Sequence, residues 1–327
     1  MQSRRDVFAT DERSALLTSL NSVIVLRMQN TIRASCLCGQ VHWEVDGRIE
    51  QPSPIGPDPF AILFMPHCHC SRCRKLHGSP FATYLTVPED RLHMSHGETL
   101  VARVESSLGT WRHFCSSCGS VVPDGFPFHG RVFLPAGSFD DDPGVRPTAH
   151  IFVGSKALWV DLEGTALPQF DAYPEGLTPP DLPSRPAIDS DTGEPRGSCL
   201  CGSVTYVISA PALRCLTCHC SRCRKAGAAA HMSYLATSLD GVRFTRGEEL
   251  LRTYKVPQAE TFESRFCERC SSPMPRRIPK RGIALVPMGT LDDDPGVRPF
   301  AHIHVGSRAP WESIEDKVPQ YEGPAPV

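Results

Sequence analysis

Short runs of β-branched and aromatic residues, bounded by glycine or proline, recur along most of this chain. Four runs lie in the first half, at 40–45, 81–87, 131–136 and 150–153, and four more lie in the second half, at 204–208, 231–236, 283–288 and 302–305. Runs of this length and composition predict β-strands. A sustained apolar period of 3.6 residues is confined to the N-terminal region. The pattern therefore predicts a mainly β protein built of short antiparallel sheets.

The second half of the chain repeats the first. A constant separation of 152 residues relates the later landmarks of the two copies, namely Cys115 and Cys267, His150 and His302, Trp159 and Trp311, and the sequence Asp-Asp-Asp-Pro-Gly-Val-Arg-Pro at 140–147 and 292–299. The central cysteines are 150 residues apart and the first cysteines are 163 apart. Such regular offsets indicate a duplication. The first copy therefore has 13 additional residues, which we place in the proline-rich stretch 50–66.

This repeat defines the expected domains. We expect a first domain at 28–170 and a second at 196–321, joined by a proline-rich linker at 171–195 that resists both helix and sheet. An N-terminal extension at 1–27 and a tail at 322–327 flank them. The extension has an apolar run of 12 residues, which is too short to span a bilayer. We interpret it as a short helix capped near Asp11, or as a non-native start ahead of Met28.

Charge and cysteine content narrow the functional class. The 34 basic and 36 acidic residues give a net charge of −2, so no global field favours nucleic acid or an anionic membrane, and neither is expected as a partner. One basic group could bind an anion or form a solvated surface strip: Arg276, Arg277, Lys280 and Arg281. The 15 cysteines are odd in number and have the spacing of metal ligands. We therefore expect a reducing compartment, the cytoplasm, rather than a disulfide framework.

One cysteine group in each copy combines a C-x-C with a distant C-x-x-C. These groups are Cys36, Cys38, Cys115 and Cys118 in the first copy, and Cys199, Cys201, Cys267 and Cys270 in the second. Four thiolates complete a tetrahedral zinc shell, so each group predicts a structural metal site whose binding energy stabilises the fold. Four buried free cysteines are the alternative. Gly119 tolerates positive φ after the first C-x-x-C, whereas Ser271 stands there in the second copy and predicts mild strain.

The other group is a central C-x-C-x-x-C, formed by Cys68, Cys70 and Cys73 and again by Cys218, Cys220 and Cys223. Three thiolates leave a fourth coordination position for water or a substrate atom, which is typical of a catalytic zinc site. Three thiolates also make zinc a weak Lewis acid for producing hydroxide, so a substrate thiol is the better partner and would be held as thiolate. These six cysteines are the predicted catalytic residues, and we expect up to two zinc ions per domain and four per chain.

Several neighbours of the central cysteines have more than one interpretation. Arg74, Lys75, Arg224 and Lys225 could bind the carboxylates of a thiol peptide or be ordinary solvated charges. Each of His67, His69 and His219 could be a fourth ligand or a proton carrier, or could point away. Cys215 stands where the first copy has Met65, and it could close the second zinc shell or be a small buried hydrophobe.

Taken together, these motifs resemble the glutathione-dependent formaldehyde-activating (GFA) family, also called the centromere protein V/GFA family. The resemblance rests on 36–39, 68–75, 114–119 and 137–140 in the first copy, and on 197–202, 218–225, 266–270 and 289–292 in the second. It implies β-tent domains with a structural zinc on the four-cysteine group and a catalytic zinc on the three-cysteine group. It also implies a carbon-sulfur lyase activity in which glutathione thiolate adds to formaldehyde.

The leading hypothesis is therefore a zinc enzyme acting on glutathione, or another small thiol, and a small aldehyde. The alternative is a non-catalytic, zinc-stabilised binding module for a protein or chromatin partner, in which the central cysteines are also structural. The sequence does not indicate the oligomeric state.

Overall fold

A computed structural model describes residues 31–52, 61–123, 129–174 and 193–326. These residues form a mainly β protein of several small antiparallel sheets, which confirms the predicted fold class. The predicted N-terminal helix, most of the linker at 171–195 and residues 53–60 of the insertion lie outside the described residues.

The described part of the first copy has eleven strands. They are β1 (Ile32–Ser35), β2 (His42–Val45), β3 (Pro66–Cys68), β4 (Ala82–Pro88), β5 (Leu92–His96), β6 (Val101–Ser107), β7 (Thr110–Cys115), β8 (Val121–Val122), β9 (Arg131–Pro135), β10 (Ala149–Ile151) and β11 (Gln169–Phe170). They form sheets with the strand orders β1-β2-β5, β6-β7-β8 and β11-β10-β3-β4-β9.

The second copy repeats this arrangement with small changes. Its described strands are β12 (Arg196–Ser198), β13 (Thr205–Ile208), β14 (Arg214–Cys218), β15 (Met232–Ser238), β16 (Val242–Arg246), β17 (Leu251–Lys255), β18 (Glu263–Cys267), β19 (Arg276–Ile278), β20 (Ile283–Pro287), β21 (His302–Ile303) and β22 (Gln320–Tyr321). The sheets have the orders β12-β13-β16, β17-β18 and β19-β20-β15-β14-β21-β22. All eight strands predicted from the sequence occur in the structure.

Two features of the sheets and helices were not predicted. The largest sheet of each copy contains parallel pairs, between β3 and β10 and between β14 and β21. Two short helices, α1 (Ser71–His77) and α2 (Ser221–Gly227), begin directly after the second cysteine of each central group. Seven residues form only about two turns, so no apolar period could reveal these helices.

The two copies pack against each other through reciprocal contacts. Helix α1 of the first copy lies against residues 288–290 of the second, and α2 lies against residues 136–138 of the first. A Cβ on Gly137 would lie 2.2 Å from the backbone nitrogen of Ala229, and one on Gly289 would lie 2.4 Å from the backbone nitrogen of Ser79. Only glycine permits backbones to approach this closely.

Each copy also contributes an apolar residue to the core of the other. Trp311, which follows the second copy's strand β21, is 1% exposed in the core that contains Trp43. Trp159, at the corresponding position of the first copy, packs in the core that contains Tyr206. We call residues 157–162 and 309–316 the exchanged arms. Among the described residues, no helix is long and apolar enough to cross a bilayer.

Candidate functional site

The first four-cysteine group comes together as the sequence predicted. Cys36 and Cys38 lie in the turn after β1, while Cys115 ends β7 and Cys118 follows it. Their sulfur atoms all lie within 4.8 Å of one another, with Cys36 Sγ 3.3 Å from Cys38 Sγ and Cys38 Sγ 3.7 Å from Cys115 Sγ. None of these cysteines forms a disulfide.

The second four-cysteine group has nearly the same geometry. Cys199 Sγ lies 3.5 Å from Cys201 Sγ, which lies 4.0 Å from Cys267 Sγ, and Cys270 completes the group. A tetrahedral ion with four bonds of about 2.3 Å would hold its sulfur ligands roughly 3.8 Å apart. The closest sulfur atoms lie 3.3–4.0 Å apart, within about 0.5 Å of that distance, so both groups fit zinc.

The central cysteines also converge in each copy. Cys68 ends β3, Cys70 caps α1 by accepting a hydrogen bond from the backbone N–H of Cys73, and Cys73 lies in the helix. The three sulfur atoms lie within 4.8 Å of one another, as do those of Cys218, Cys220 and Cys223. Among the described residues, no fourth His, Cys, Asp or Glu joins either group at this distance. Each group is therefore a three-thiol cluster, and we call them the first and second triplets.

The middle thiol of each triplet is the easiest to ionise. Hydrogen bonds from Cys68 and Cys73 hold the pKa of Cys70 well below its ordinary value, against the opposing effect of burial. Cys218 and Cys223 lower the pKa of Cys220 in the same way. Bonding to the neighbouring thiols raises the pKa of Cys68 and of Cys223, and burial raises both further. A divalent cation would favour the thiolate form of all three and release their protons.

Aromatic side chains surround the first triplet: Tyr84, Phe133, Phe152, Phe170 and Tyr173. The Tyr84 hydroxyl lies 3.9 Å from Cys73 Sγ and 2.7 Å from His77 Nε2. His77 Nδ1 lies 2.6 Å from the carbonyl oxygen of Gly227 and so must donate to it, which leaves Nε2 to accept from Tyr84. Burial lowers the pKa of His77 to about 4, which agrees with a neutral ring. The sequence analysis missed His77 and Tyr84, although the replacement of His77 by Gly227 in the second copy was a visible difference.

The second triplet has different surroundings. Met232, Tyr234, Phe262 and Ile303 pack against it. The guanidinium carbon of Arg276 lies 5.2 Å from the ring centre of Phe262 and 5.9 Å from that of Tyr234. The basic residues predicted to form one cluster do not share one surface. Arg276 is buried, whereas Lys280 and Arg281 are exposed.

The histidines beside the triplets point away from the cysteines, which is one of the interpretations that the sequence left open, and none of them is a fourth ligand. His69 Nε2 lies 2.9 Å from His150 Nδ1, and His67 Nδ1 lies 2.8 Å from the Thr83 hydroxyl. His219 is directed to Glu312 and His302. Successive residues of an extended chain point to opposite faces, so these histidines leave the face on which the cysteines converge.

The two lysines after the triplets are neither available to a substrate nor ordinary solvated charges, so both interpretations from the sequence were wrong for them. Lys75 Nζ donates to the carbonyl and hydroxyl of Ser198 and lies 2.6 Å from Asp292 Oδ1, in the other copy. Lys225 Nζ makes the reciprocal contacts with Ser35 and with Asp140 Oδ1 at 2.5 Å. Both lysines therefore connect the two copies.

The neighbouring arginines, Arg74 and Arg224, are partly buried at the same interface. The Nε atom of each is buried and has no hydrogen-bond partner among the described residues. Their proposed role in binding carboxylates stays a prediction.

Cys215 does not close the second triplet. It is 3% exposed and packs in the core with Leu235 and Val286, and burial raises its pKa to about 11. Cys215 and Cys218 are three residues apart on β14, so their side chains point to opposite faces. Cys215 is therefore a small buried apolar residue, the alternative interpretation.

Ser271 has the positive φ that the sequence predicted. Its φ is +59°, compared with +77° for Gly119, and its hydroxyl is buried without a hydrogen-bond partner among the described residues.

A family model described as "Glutathione-dependent formaldehyde-activating enzyme" matches residues 31–155 and 194–307. Together these segments span more than half of the chain and contain every cysteine of the four clusters. The chain belongs to the GFA family. Its two matched segments make it a tandem, two-domain member.

One solved structure similar to this chain is a crystal structure of a Rhodobacter sphaeroides protein, a Northeast Structural Genomics target. That protein is 25% identical, covers 32% of this chain and 97% of its own length, and has a TM-score of 0.26.

Proposed function

We propose that this GFA protein is a zinc-dependent carbon-sulfur lyase, which adds the thiolate of glutathione to formaldehyde or another small aldehyde. The observation that carries the proposal is the three-thiol cluster in each copy, which no fourth metal-binding side chain of the described residues completes. Cys68, Cys70 and Cys73 would hold one catalytic ion, and Cys218, Cys220 and Cys223 the other. The cytoplasm, where glutathione is reduced, is the proposed compartment.

The reaction needs no oxidant. A carbon-sulfur bond forms as the carbonyl π bond opens, and the proton released by the thiol is taken up by the former carbonyl oxygen. Zinc bound to three thiolates would supply a soft Lewis acid that favours the ionised form of a fourth sulfur ligand. Because thiols add to formaldehyde unaided, the protein has to contribute chiefly by orientation.

The residues around the first triplet support such a role. The aromatic side chains around Cys68 and Cys73 limit the access of water, which strengthens polar interactions at the cluster. The Tyr84 hydroxyl donates to His77, and its oxygen lies 3.9 Å from Cys73 Sγ. His77 is in turn bonded to Gly227 of the second copy, so the packing of the two copies helps to fix the position of Tyr84. These contacts would hold the triplet rigid.

The four-cysteine groups would have a structural role. Cys36, Cys38, Cys115 and Cys118, and their counterparts Cys199, Cys201, Cys267 and Cys270, each offer a closed set of four sulfur atoms. Such a set completes a zinc shell without leaving a position for substrate.

Initial rates of S-(hydroxymethyl)glutathione formation would test the proposal. The zinc-loaded chain should exceed the uncatalysed rate, and the double variant Cys70→Ser, Cys220→Ser should fall to background because each triplet loses its middle thiol. Cys215→Ser is the matched control, since Cys215 lies in the core away from both triplets and should retain the wild-type rate. A wild-type rate equal to background would refute the proposal.

A further inference from the structure

Three metal-binding side chains of the second copy meet outside the cysteine clusters. His219, His231 and Glu312 present ligand atoms that all lie within 4.8 Å of one another. His219 Nδ1 lies 3.0 Å from Glu312 Oε2, and His231 Nδ1 lies 2.5 Å from Glu312 Oε1. Their side chains are no more than 11% exposed. Two imidazoles and one carboxylate are the donor set of many catalytic zinc sites.

The three side chains come from separate segments of the second copy. His219 follows β14 and points away from the second triplet, His231 precedes β15, and Glu312 follows Trp311 on the exchanged arm. With bonds of about 2.1 Å, a tetrahedral ion would hold N and O ligands roughly 3.4 Å apart. The observed separations of 3.0 and 2.5 Å are about 0.4 and 0.9 Å shorter, so the Glu312 carboxylate would have to move outward to admit an ion.

An outer set of contacts fixes the ring of His219. His219 Nε2 lies 2.8 Å from His302 Nδ1, and His302 Nε2 lies 3.0 Å from a carboxylate oxygen of Asp316. Metal-binding histidines commonly use their second ring nitrogen in a hydrogen bond of this kind, which sets the tautomer and the ring orientation.

The number of ring hydrogens leaves one contact in this row of side chains without a hydrogen unless an added proton or a metal ion is present. A neutral imidazole has one N–H, so His219 and His302 have two hydrogens for three close contacts. If His302 donates to Asp316, then His219 must donate to His302, and the lone pair of His219 Nδ1 faces the Glu312 carboxylate at 3.0 Å. A lone pair and a carboxylate oxygen repel each other unless a proton or a metal ion lies between them.

The cluster borders a cleft from which a cation could enter. His231, His302, Glu312 and Asp316 line this cleft between the two copies, which has a volume of about 220 Å³. The charged side chains along it are five carboxylates and one arginine: Asp161, Glu163, Glu312, Glu315, Asp316 and Arg146. Carboxylates in a confined cleft raise the local concentration of cations.

The first copy provides an internal comparison. The offsets of the repeat place Phe81 and Val160 where the second copy has His231 and Glu312, so only His69 of the three groups is retained. His69 Nδ1 is buried and has no hydrogen-bond partner among the described residues. The first copy therefore has apolar side chains in place of two of the three groups.

We propose that His219, His231 and Glu312 form a binding site for a divalent transition-metal ion, with zinc as the ion to be tested, in addition to the cysteine clusters. Three protein ligands leave at least one coordination position for water or a ligand from the cleft. The proposal does not depend on the thiol chemistry of the triplets.

Zinc content measured in a zinc-buffered solution would test this site. The double variant His231→Phe, Glu312→Val reproduces the side chains of the first copy and should bind one zinc ion fewer per chain than the wild type. Asp161→Asn is the control, because Asp161 lines the cleft outside the cluster and should retain the wild-type content. Equal zinc contents in the wild type and the folded double variant would overturn the proposal and leave an added proton to complete the hydrogen bonds.

Anomalous scattering from zinc in crystals of the wild-type protein provides a measurement that does not require a variant to fold. We expect a peak between His219, His231 and Glu312, separate from the peaks at the cysteines. No peak at this position would overturn the proposal, whatever is found elsewhere. A peak here without peaks at the triplets would support this site and contradict the proposed function.

Discussion

Ser271 and Gly119 occupy the same turn of the two copies, and both have positive φ. A Cβ on Gly119 would lie 2.5 Å from the Phe266 ring of the other copy, so this position requires glycine for space as well as for conformation. Ser271 accepts the same conformation with a side chain whose hydroxyl is buried and has no partner in the described part of the chain. The same positive φ is therefore unstrained at Gly119 and strained at Ser271.

Ser271→Gly should stabilise the protein by about 1 kcal/mol, because it relieves the left-handed strain and removes a buried hydroxyl. Gly119→Ala should destabilise it by about 1–3 kcal/mol, because the new methyl group meets the Phe266 ring. Urea unfolding of both variants measures these changes. A destabilised Ser271→Gly protein would show that φ at this turn is not the source of strain.

Residue chemistry also explains which parts of the site could be predicted. Cysteine spacing predicted the cysteine pairs and the central triplets, because a C-x-C or C-x-x-C keeps its thiols close in a compact turn, and the duplicated pattern indicated that the distant pairs belong together. The contact of Lys75 with Asp292 and the contacts of Glu312 were not predicted, because these partners are 217 and at least 81 residues away in the chain. Differences between aligned positions, such as Phe81 and His231, are a signal that a single copy would not have provided.

Helices α1 and α2 each contain a lysine that forms an ion pair with the opposite copy. The two lysines differ in exposure. The Lys75 side chain is 4% exposed and its partner Asp292 is 17% exposed, whereas the values are 17% for Lys225 and 37% for Asp140. The desolvated contact loses more when one partner is removed, because the remaining charge stays buried.

Lys75→Met should therefore destabilise the protein by about 3–5 kcal/mol, because Asp292 and the Ser198 carbonyl lose their partner. Lys225→Met is the matched control and should cost about 1–2 kcal/mol, because water reaches Asp140. Urea unfolding compares the two variants. Equal decreases in the free energy of unfolding would contradict the assignment of the Lys75–Asp292 pair as the more deeply buried one.

The strands were largely predictable, whereas the helices and the parallel pairs were not. Runs such as 81–87 and 283–288 are long enough and β-rich enough to be recognised alone. Helix α1 has a single strongly apolar residue, Leu76, so it has no amphipathic pattern to recognise. The helix begins at the N-cap formed by Cys70. The pairing of β3 with β10 joins segments about 80 residues apart, which no local pattern specifies.

The two copies share their cores and are joined by ion pairs, so they do not form independent domains. The exchanged arms place Trp311 in the core of the first copy and Trp159 in that of the second, and the lysine contacts cross in the same reciprocal way. The sequence identified both tryptophans as repeat landmarks, but it did not indicate in which core each one packs.

Trp311→Ala should destabilise the protein by about 3–5 kcal/mol, because it leaves a large cavity in the core around Trp43. Trp159→Ala should have a similar effect on the core around Tyr206. Because each arm joins both copies, thermal unfolding of either variant should shift a single transition. Two separated transitions, with only one of them shifted, would contradict the reciprocal packing.

Electronic absorption of the cobalt-substituted protein tests the central claim most directly, namely that each triplet offers a metal ion three thiolates and leaves a position for a substrate thiol. Addition of glutathione should change the thiolate-to-cobalt bands of the wild type. The double variant Cys70→Ser, Cys220→Ser should not show that change, and its four-cysteine groups should retain their own bands. A wild-type spectrum that glutathione leaves unchanged would contradict the account.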